Sequence, residues 1–399
     1  MEILFDTMER LLSLTSLEIV RSCMDTIKWN RRLISLRGSR GVGKTTLMLQ
    51  YVKLHYPAGS RKALYCSVDN IYFATHSILE LAENFYKYGG EMLLLDEIHK
   101  YNGWSREIKE IYDSLPTLKV VISGSSVLNI INADADLSRR CRNHDIYGLS
   151  FREYLKFYRN LDFPVYSIED LLHQAPEICN KVNEVCRPLS EFEKYNKAGY
   201  FPFFEDDVED YYYTLQNVSN YIIEQELPSL CGIDSSYARK IKALLCVVAT
   251  GVPYEVDLTK LSQMIGLART TTLDYLQKLE KAQLLTLLYS DTINVKKMQK
   301  PDKMYLQNTN LLQAYSLRRP HIGTVRETFA VLHMRVGHSV EYGKEHGDFV
   351  VDGKYTFEVG GKDKSFKQIA DIPDSYLLVD EIEYAVGNRL PLWLIGFLY

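Results

Sequence analysis

The sequence is short of several things, and each shortage removes a class of protein. No apolar run approaches the ~18 residues that a membrane-spanning helix needs. None of its seven cysteines forms a Cys-x-x-Cys pair, and Cys179 and Cys186 stand too far apart for a zinc knuckle. Scattered thiols of this kind read as reduced side chains, not as a disulfide frame. An excess of positive charge is missing too: 47 Lys and Arg face 51 Asp and Glu, a net charge of −4. No global field draws the chain to nucleic acid, so any such site is local. The first residues carry Glu2 and Asp6 where a signal peptide carries bases. A cytoplasmic protein without a membrane segment is expected. Internal repeats and low-complexity tracts are lacking as well. What is present is 399 residues, 46% hydrophobic and 25% charged. That excludes a largely disordered chain and is too long for one ordinary core. The 29 tyrosines read mainly as packing residues.

The texture changes along the chain. Residues 1–30 predict an N-terminal helix, with Met8, Leu11, Leu12, Thr15 and Ile19 at helical spacing. Over 31–150, apolar segments at 33–36, 63–68, 92–95 and 118–122 alternate with helical stretches. That pattern predicts an α/β core, a parallel sheet flanked by helices. Residues 151–245 read as a mostly helical lid and connector, interrupted at Gly199-Tyr200-Phe201-Pro202. A helix–turn–helix and hairpin pattern covers 246–310. A small α/β unit is expected over 324–399, with strands at 348–351, 355–359, 376–379 and 392–397.

Gly38-Ser39-Arg40-Gly41-Val42-Gly43-Lys44-Thr45 fits G-x-x-x-x-G-K-[ST] in full, after one predicted strand and before a predicted helix. The glycines let backbone N–H groups converge on phosphate oxygens, and the helix N-terminus adds partial positive charge. Lys44 is expected to reach the β- and γ-phosphates and Thr45 to ligate Mg²⁺, with Thr46 completing the binding stretch. ATP and Mg²⁺ are the expected ligands. Met92-Leu93-Leu94-Leu95-Asp96-Glu97 is an apolar strand ending in two acids. Asp96 would hold the Mg²⁺ and Glu97 would polarise the attacking water. Ser123, in Val120-Val121-Ile122-Ser123-Gly124-Ser125-Ser126, reads either as a donor to that water or the γ-phosphate, or as a polar strand end. Arg139-Arg140 reads either as a solvated pair or as the source of an arginine for the γ-phosphate.

Taken together, the loop 38–45, the strand 93–97, Ile122-Ser123-Gly124-Ser125, and Arg140 ahead of Leu149-Ser150-Phe151-Arg152-Glu153 carry a resemblance. The chain resembles prokaryotic AAA+ superfamily P-loop ATPases that carry a C-terminal winged helix and a PD-(D/E)xK nuclease-like domain. In those proteins the third element ends in Thr/Ser-Gly-Ser, and an arginine after glycine precedes Leu-Ser-Phe-x-Glu. Arg140 falls on that arginine, Arg139 replaces the glycine, and Gly148 replaces a frequent proline. The resemblance spans nearly the whole chain and is strongest over the ATPase core. It implies a homo-oligomer in which Arg140 acts in trans. No second-sensor arginine is legible.

In the C-terminal half, 258–265 predicts a helix, Gly266-Leu267 a turn, and 268–281 a second helix. Thr270, Thr271, Tyr275 and Lys278 are placed on its exposed side, and 284–288 begins a wing. Lys260, Arg269, Lys278, Lys281, Lys296, Lys297 and Lys300 outnumber Asp274, Glu280 and Asp291. The local excess is modest, so double-stranded DNA and a protein partner both stay open. The last unit resembles a PD-(D/E)xK nuclease, with Glu327, Asp348 and Glu358 as its acids. The lysine expected two residues after the second acid is Gly360, and Lys362 stands two further on. A degenerate remnant without nuclease activity is the expectation. The expected function is ATP hydrolysis that drives or gates partner engagement. A nucleotide-switched DNA-binding regulator and an ATP-gated nuclease are the alternatives.

Overall fold

The computed structural model describes residues 1–124, 137, 139–203, 207–231, 233–250, 254–255, 257–290, 300–344 and 346–399. Ser125, Ser126, Asp291, Lys296 and Lys297, on which parts of the sequence reading fall, lie outside the described residues. The chain divides into two compact units, Met1–Gly148 and Leu149–Tyr399.

The first unit opens with α1 (Glu2–Leu14) and the short α2 (Cys23–Thr26), not one helix through residue 30. Thr15 is extended, and its hydroxyl turns back to the Leu11 carbonyl. Side chains further along the chain take over the freed carbonyls: Lys53 bonds those of Leu12 and Thr15, and Gln50 those of Ser16 and Ile19. Then follow β1 (Leu33–Arg37), α3 (Lys44–His55), β2 (Ala63–Ser67) and α4 (Ile78–Lys87). The unit ends with β3 (Met92–Asp96), α5 (Trp104–Ser114), β4 (Lys119–Gly124) and β5 (Arg142–Asp145).

The five strands form one parallel sheet in the order β2-β3-β4-β1-β5. Residues 92–96 are buried throughout because helices cover both faces, and this is why the run is unbroken Met-Leu-Leu-Leu. On α4, Ile78, Leu81, Ala82 and Phe85 face inward at helical spacing, and the Ser77 hydroxyl caps the helix by accepting from the Glu80 N–H. Strand order reverses at β1, which is flanked by β4 and β5. The carboxyl ends of the strands around that switch point are where open α/β sheets bind ligands.

The second unit has three parts. Helices α6 (Phe151–Arg159), α7 (Ile168–His173), α8 (Ala175–Val185) and α9 (Pro188–Ala198) come first. After α10 (Val208–Tyr221) and α11 (Leu227–Cys231) come α12 (Ala238–Thr250), β6 (Tyr254–Glu255), α13 (Leu258–Ile265), α14 (Arg269–Lys281), β7 (Leu285–Leu288) and β8 (Lys303–Leu306). Their strands pair antiparallel in the order β6-β8-β7. Beyond α15 (Thr309–Tyr315) and α16 (Ile322–Met334) lie β9 (Val340–Tyr342), β10 (Phe349–Val351), β11 (Tyr355–Gly360), β12 (Ser375–Val379) and β13 (Arg389–Pro391). These make a mixed sheet in the order β13-β12-β11-β10-β9.

Two sequence expectations change here. The strand expected at 392–397 is a 3₁₀ helix, Leu392–Phe397, with all six residues buried. A short run that is apolar on every side has no period to tell a strand from a helix turn. The helices over 151–198, part of the stretch 151–245 expected as a lid and connector, share one core with the C-terminal sheet. Phe192 packs edge-on to Phe329 at 4.6 Å between centroids, Tyr195 meets Phe329 at 5.8 Å, and Phe151 meets Phe397 at 6.0 Å. The partners lie more than a hundred residues apart, so no local pattern announces them. Tyr195, Tyr200, Tyr211 and Tyr305 are among the largest fully buried side chains, in keeping with a packing role for much of the tyrosine content.

Candidate functional site

The loop between β1 and α3 is shaped by contacts that only glycine permits. A Cβ on Gly38 would stand 2.1 Å from the Ile146 carbonyl oxygen. Gly41 and Gly43 have φ of 88° and 92°, the left-handed region that other residues resist. Val42 is buried under the loop, and its carbonyl accepts from Arg21 at 3.0 Å. The same guanidinium donates to the Tyr147 and Gly148 carbonyls at 2.7 and 2.8 Å, tying the loop to the chain that follows β5. Arg21 was not singled out in the sequence; an arginine in a polar stretch before the first strand carries no local signal.

Lys44, only 5% exposed, folds back over the loop. Its ammonium donates to the Gly38 and Ser39 carbonyls, both at 2.8 Å. Arg40 is half-buried in the loop, and Thr45 and Thr46 are exposed on the first turn of α3. The N-terminus of that helix leaves backbone donors for an anion.

Asp96, at the end of β3, is the centre of the site. It accepts from the Thr45 hydroxyl at 2.5 Å, from the Tyr65 hydroxyl at 2.8 Å, from the Glu97 N–H at 3.0 Å, and from the Ser123 hydroxyl. Sheet register explains the convergence. β3 lies between β2 and β4, so Ser67 stands opposite Asp96 and Ile122 opposite Leu95, which carries the next residue, Ser123, to the same level. Tyr65 was missed because a tyrosine inside Ala-Leu-Tyr-Cys-Ser reads as core. Burial and the adjacent Asp96 carboxylate push its hydroxyl well above the ordinary tyrosine range, so it stays a donor.

Glu97 is left-handed at φ 55°, which turns its carboxylate away from the strand direction. One oxygen lies 3.5 Å from His99 Nε2 and 3.7 Å from Lys100 Nζ, and Lys100 also reaches Asp69 at 2.7 Å. Burial, then Asp96, raises the Glu97 carboxyl above its usual value, against the pull of Lys44, Lys100 and Arg40. Burial and the same cations lower His99 to about 4, so its imidazole is neutral at neutral pH.

The structure thus brings Lys44, Thr45, Asp96, Glu97 and Ser123 together. Arg140 is placed elsewhere: it forks onto Asp113 of α5 with two bonds of 3.0 Å. Adjacent hydroxyl and carboxylate oxygens at Thr45 and Asp96 are the hard donors that Mg²⁺ takes, so these residues fit the ion.

The second unit gathers another polar cluster. Glu327 of α16, Asp348 before β10 and Glu358 of β11 converge, but two lysines stand among them. Lys303 of β8 lies 3.2 Å from Glu327 and 3.4 Å from Asp348, and Lys364 pairs with Glu358. The Tyr305 hydroxyl donates to Glu327 at 2.6 Å and the Val359 N–H to Asp348 at 2.9 Å. Lys362 is exposed in the turn after β11 and accepts from Arg389 through its carbonyl, so of the lysines in that turn it is Lys364 that reaches Glu358. The turn at Gly360 and Gly361 ends the strand, and strand alternation no longer fixes which later side chain returns. Burial, then Asp348, raises both Glu327 and Glu358 above the ordinary carboxylate range.

In the segment expected to carry a winged helix, Tyr275 is buried instead of exposed. It packs edge-on to Tyr237 at 5.9 Å, Thr271 and Lys278 are half-buried, and Arg269, Thr270, Asp274 and Lys281 are the exposed residues of α14. No helix among the described residues is long and apolar enough to cross a membrane.

The family described as AAA domain matches residues 30–155. The chain is 26% identical over 403 residues to the uncharacterised protein MJ1637 of Methanocaldococcus jannaschii, covering 92% of this chain and 85% of that one. Among solved structures it is similar to the Walker-type ATPase PABY2304 of Pyrococcus abyssi, at 11% identity and a TM-score of 0.42 over 72% of this chain and 91% of that one. It is also similar to AMPPCP-bound DnaA from Aquifex aeolicus, at 16% identity and a TM-score of 0.27, covering 65% and 85% of the two chains. The family match lies over the glycine loop, Asp96 and Glu97, so residues 30–155 are similar to an AAA-type ATP-binding domain.

Proposed function

We propose that the chain hydrolyses ATP with Mg²⁺ and uses the cycle to drive or gate how its second unit engages a partner. One observation carries the reading: the Thr45 hydroxyl meets the Asp96 carboxylate at 2.5 Å, beside the glycine loop that Lys44 closes. In this reading Thr45 and Asp96 hold the metal, which when bound neutralises phosphate charge. Gly38, Ser39, Arg40, Gly41, Val42, Gly43 and Thr46 shape the phosphate cradle. Lys44 draws its ammonium from the loop carbonyls to the phosphates. Ser123 and Tyr65 aim Asp96. Glu97 orients the attacking water and takes its proton.

Arg140 acts from a neighbouring copy in a homo-oligomer, where charge builds on the γ-phosphate. Arg140→Ala is expected to keep ATP binding and to lower turnover by roughly 10³-fold or more. Mixing it with Lys44→Ala should restore part of the rate, because the second chain supplies Arg140 to intact loops. Steady-state hydrolysis of the two variants, alone and mixed, checks this; no recovery on mixing contradicts action in trans.

Helices α13 and α14 with the sheet β6-β8-β7 support the reading of a winged helix. Arg269 and Thr270 at the exposed start of α14 suit a phosphate or base edge. Duplex DNA is expected to raise ATP turnover, and raised salt to erase the effect. Turnover indifferent to duplex DNA assigns that face to a protein partner.

A further inference from the structure

The resemblance of the last unit to metal-dependent nucleases implies a divalent cation among Glu327, Asp348 and Glu358. The residues as they stand do not fit one. The Lys303 ammonium lies between Glu327 and Asp348, at 3.2 and 3.4 Å. Lys364 pairs with Glu358, Tyr305 donates to Glu327, and the Val359 N–H occupies Asp348. Among the described residues no group of three or more His, Cys, Asp or Glu is arranged to hold a metal ion.

Lys303 is built into this position. It is 6% exposed, lies at the start of a fully buried strand, and sits over the Tyr342 ring at 4.7 Å. A buried ammonium is kept only where oxygen acceptors satisfy it, and here the acceptors are carboxylates. Three carboxylates and two ammoniums leave one negative charge in the cluster, and a neutral residue at 303 would leave two, which is the complement of a divalent ion. One acceptor also stays unused: Glu358 is 2% exposed, and its Oε2 has no hydrogen-bond partner among the described residues.

We propose that Lys303 is the resident cation of this cluster. In the native chain the ammonium excludes a divalent ion and fastens β8 to α16 and to the Asp348 turn. The site is cation-selective by charge and geometry, but its occupant is the chain's own side chain. It follows that the acids serve as an ionic tie between the three-stranded sheet and the mixed sheet, not as a metal centre. The inference is independent of ATP hydrolysis in the first unit.

The test is Mn²⁺ binding to the nucleotide-free full chain, read from the free-ion electron paramagnetic resonance signal. The native chain and Asp348→Asn are expected to give the same isotherm. Lys303→Met is expected to gain one Mn²⁺ per chain, bound about tenfold or more tighter than any site in the native chain, since ligand charge sets affinity. Adding Asp348→Asn to Lys303→Met should remove that site, and Lys303→Arg, which keeps the charge, should not create it. A native Mn²⁺ site lost in Asp348→Asn overturns the proposal, as does a folded Lys303→Met that gains none. Should Lys303→Met fail to fold, the comparison of native chain with Asp348→Asn still decides whether a divalent ion resides there.

Discussion

Glu97→Gln is expected to bind ATP as tightly as the native chain and to turn it over roughly 10²–10⁴-fold more slowly. The substitution keeps size, shape and the left-handed backbone position at φ 55°. It removes the ability to take a proton and the charge facing Lys100 at 3.7 Å and His99 at 3.5 Å. That ion pair is partly solvated and is worth little to stability, so the fold is expected to hold. Thr45 and Ser123 donate to Asp96, so the contacts of the metal-holding residues are kept. Burial, then Asp96, raises the Glu97 carboxyl above the usual value. Equilibrium binding of a fluorescent ATP analogue and saturating-ATP turnover separate the two effects. Turnover equal to the native chain assigns the water to another residue.

Lys44→Ala is expected to abolish measurable ATP binding. In the structure its ammonium makes two bonds of 2.8 Å to loop carbonyls, which hold the cradle in shape before phosphate arrives. The same group is the cation that phosphate would meet. Hydrogen bonds to charged groups contribute about 1.5–3 kcal/mol each, so losing two to phosphate lowers affinity on the order of 10²-fold or more. The glycines and Arg21 still shape the rest of the loop, so the variant should fold with a melting temperature near that of the native chain. Calorimetric titration with ATP checks the binding, and affinity within a few-fold of native contradicts the role given to Lys44.

How much of this was legible in the sequence depends on distance along the chain. The glycine loop and the strand ending in Asp96 and Glu97 are contiguous, and each is dictated by one local need: donors on phosphate, or a strand covered on both faces. Four strands of the parallel sheet followed from alternation; β5, the polar Arg142–Asp145, carries no apolar run and did not. Tyr65 on Asp96, Arg21 on Val42, and Lys303 among the C-terminal acids were not legible. Each reaches its partner through tertiary packing, and a tyrosine or lysine in a strand carries no mark of where its tip will end. The same holds for the helices over 151–198, whose aromatic faces meet Phe329 and Phe397. Arg140 shows the converse. It was singled out by its neighbours in sequence, while its place on Asp113 could come only from the fold.

Steady-state ATP hydrolysis by the purified full chain with Mg²⁺, using Lys44→Ala as the blank and Glu97→Gln beside it, tests the central claim most directly. Turnover above the blank that Glu97→Gln loses, while still binding ATP, is the expected result. A native rate equal to the Lys44→Ala blank, with ATP bound and with or without duplex DNA, would contradict it and leave nucleotide as a ligand that is held but not consumed.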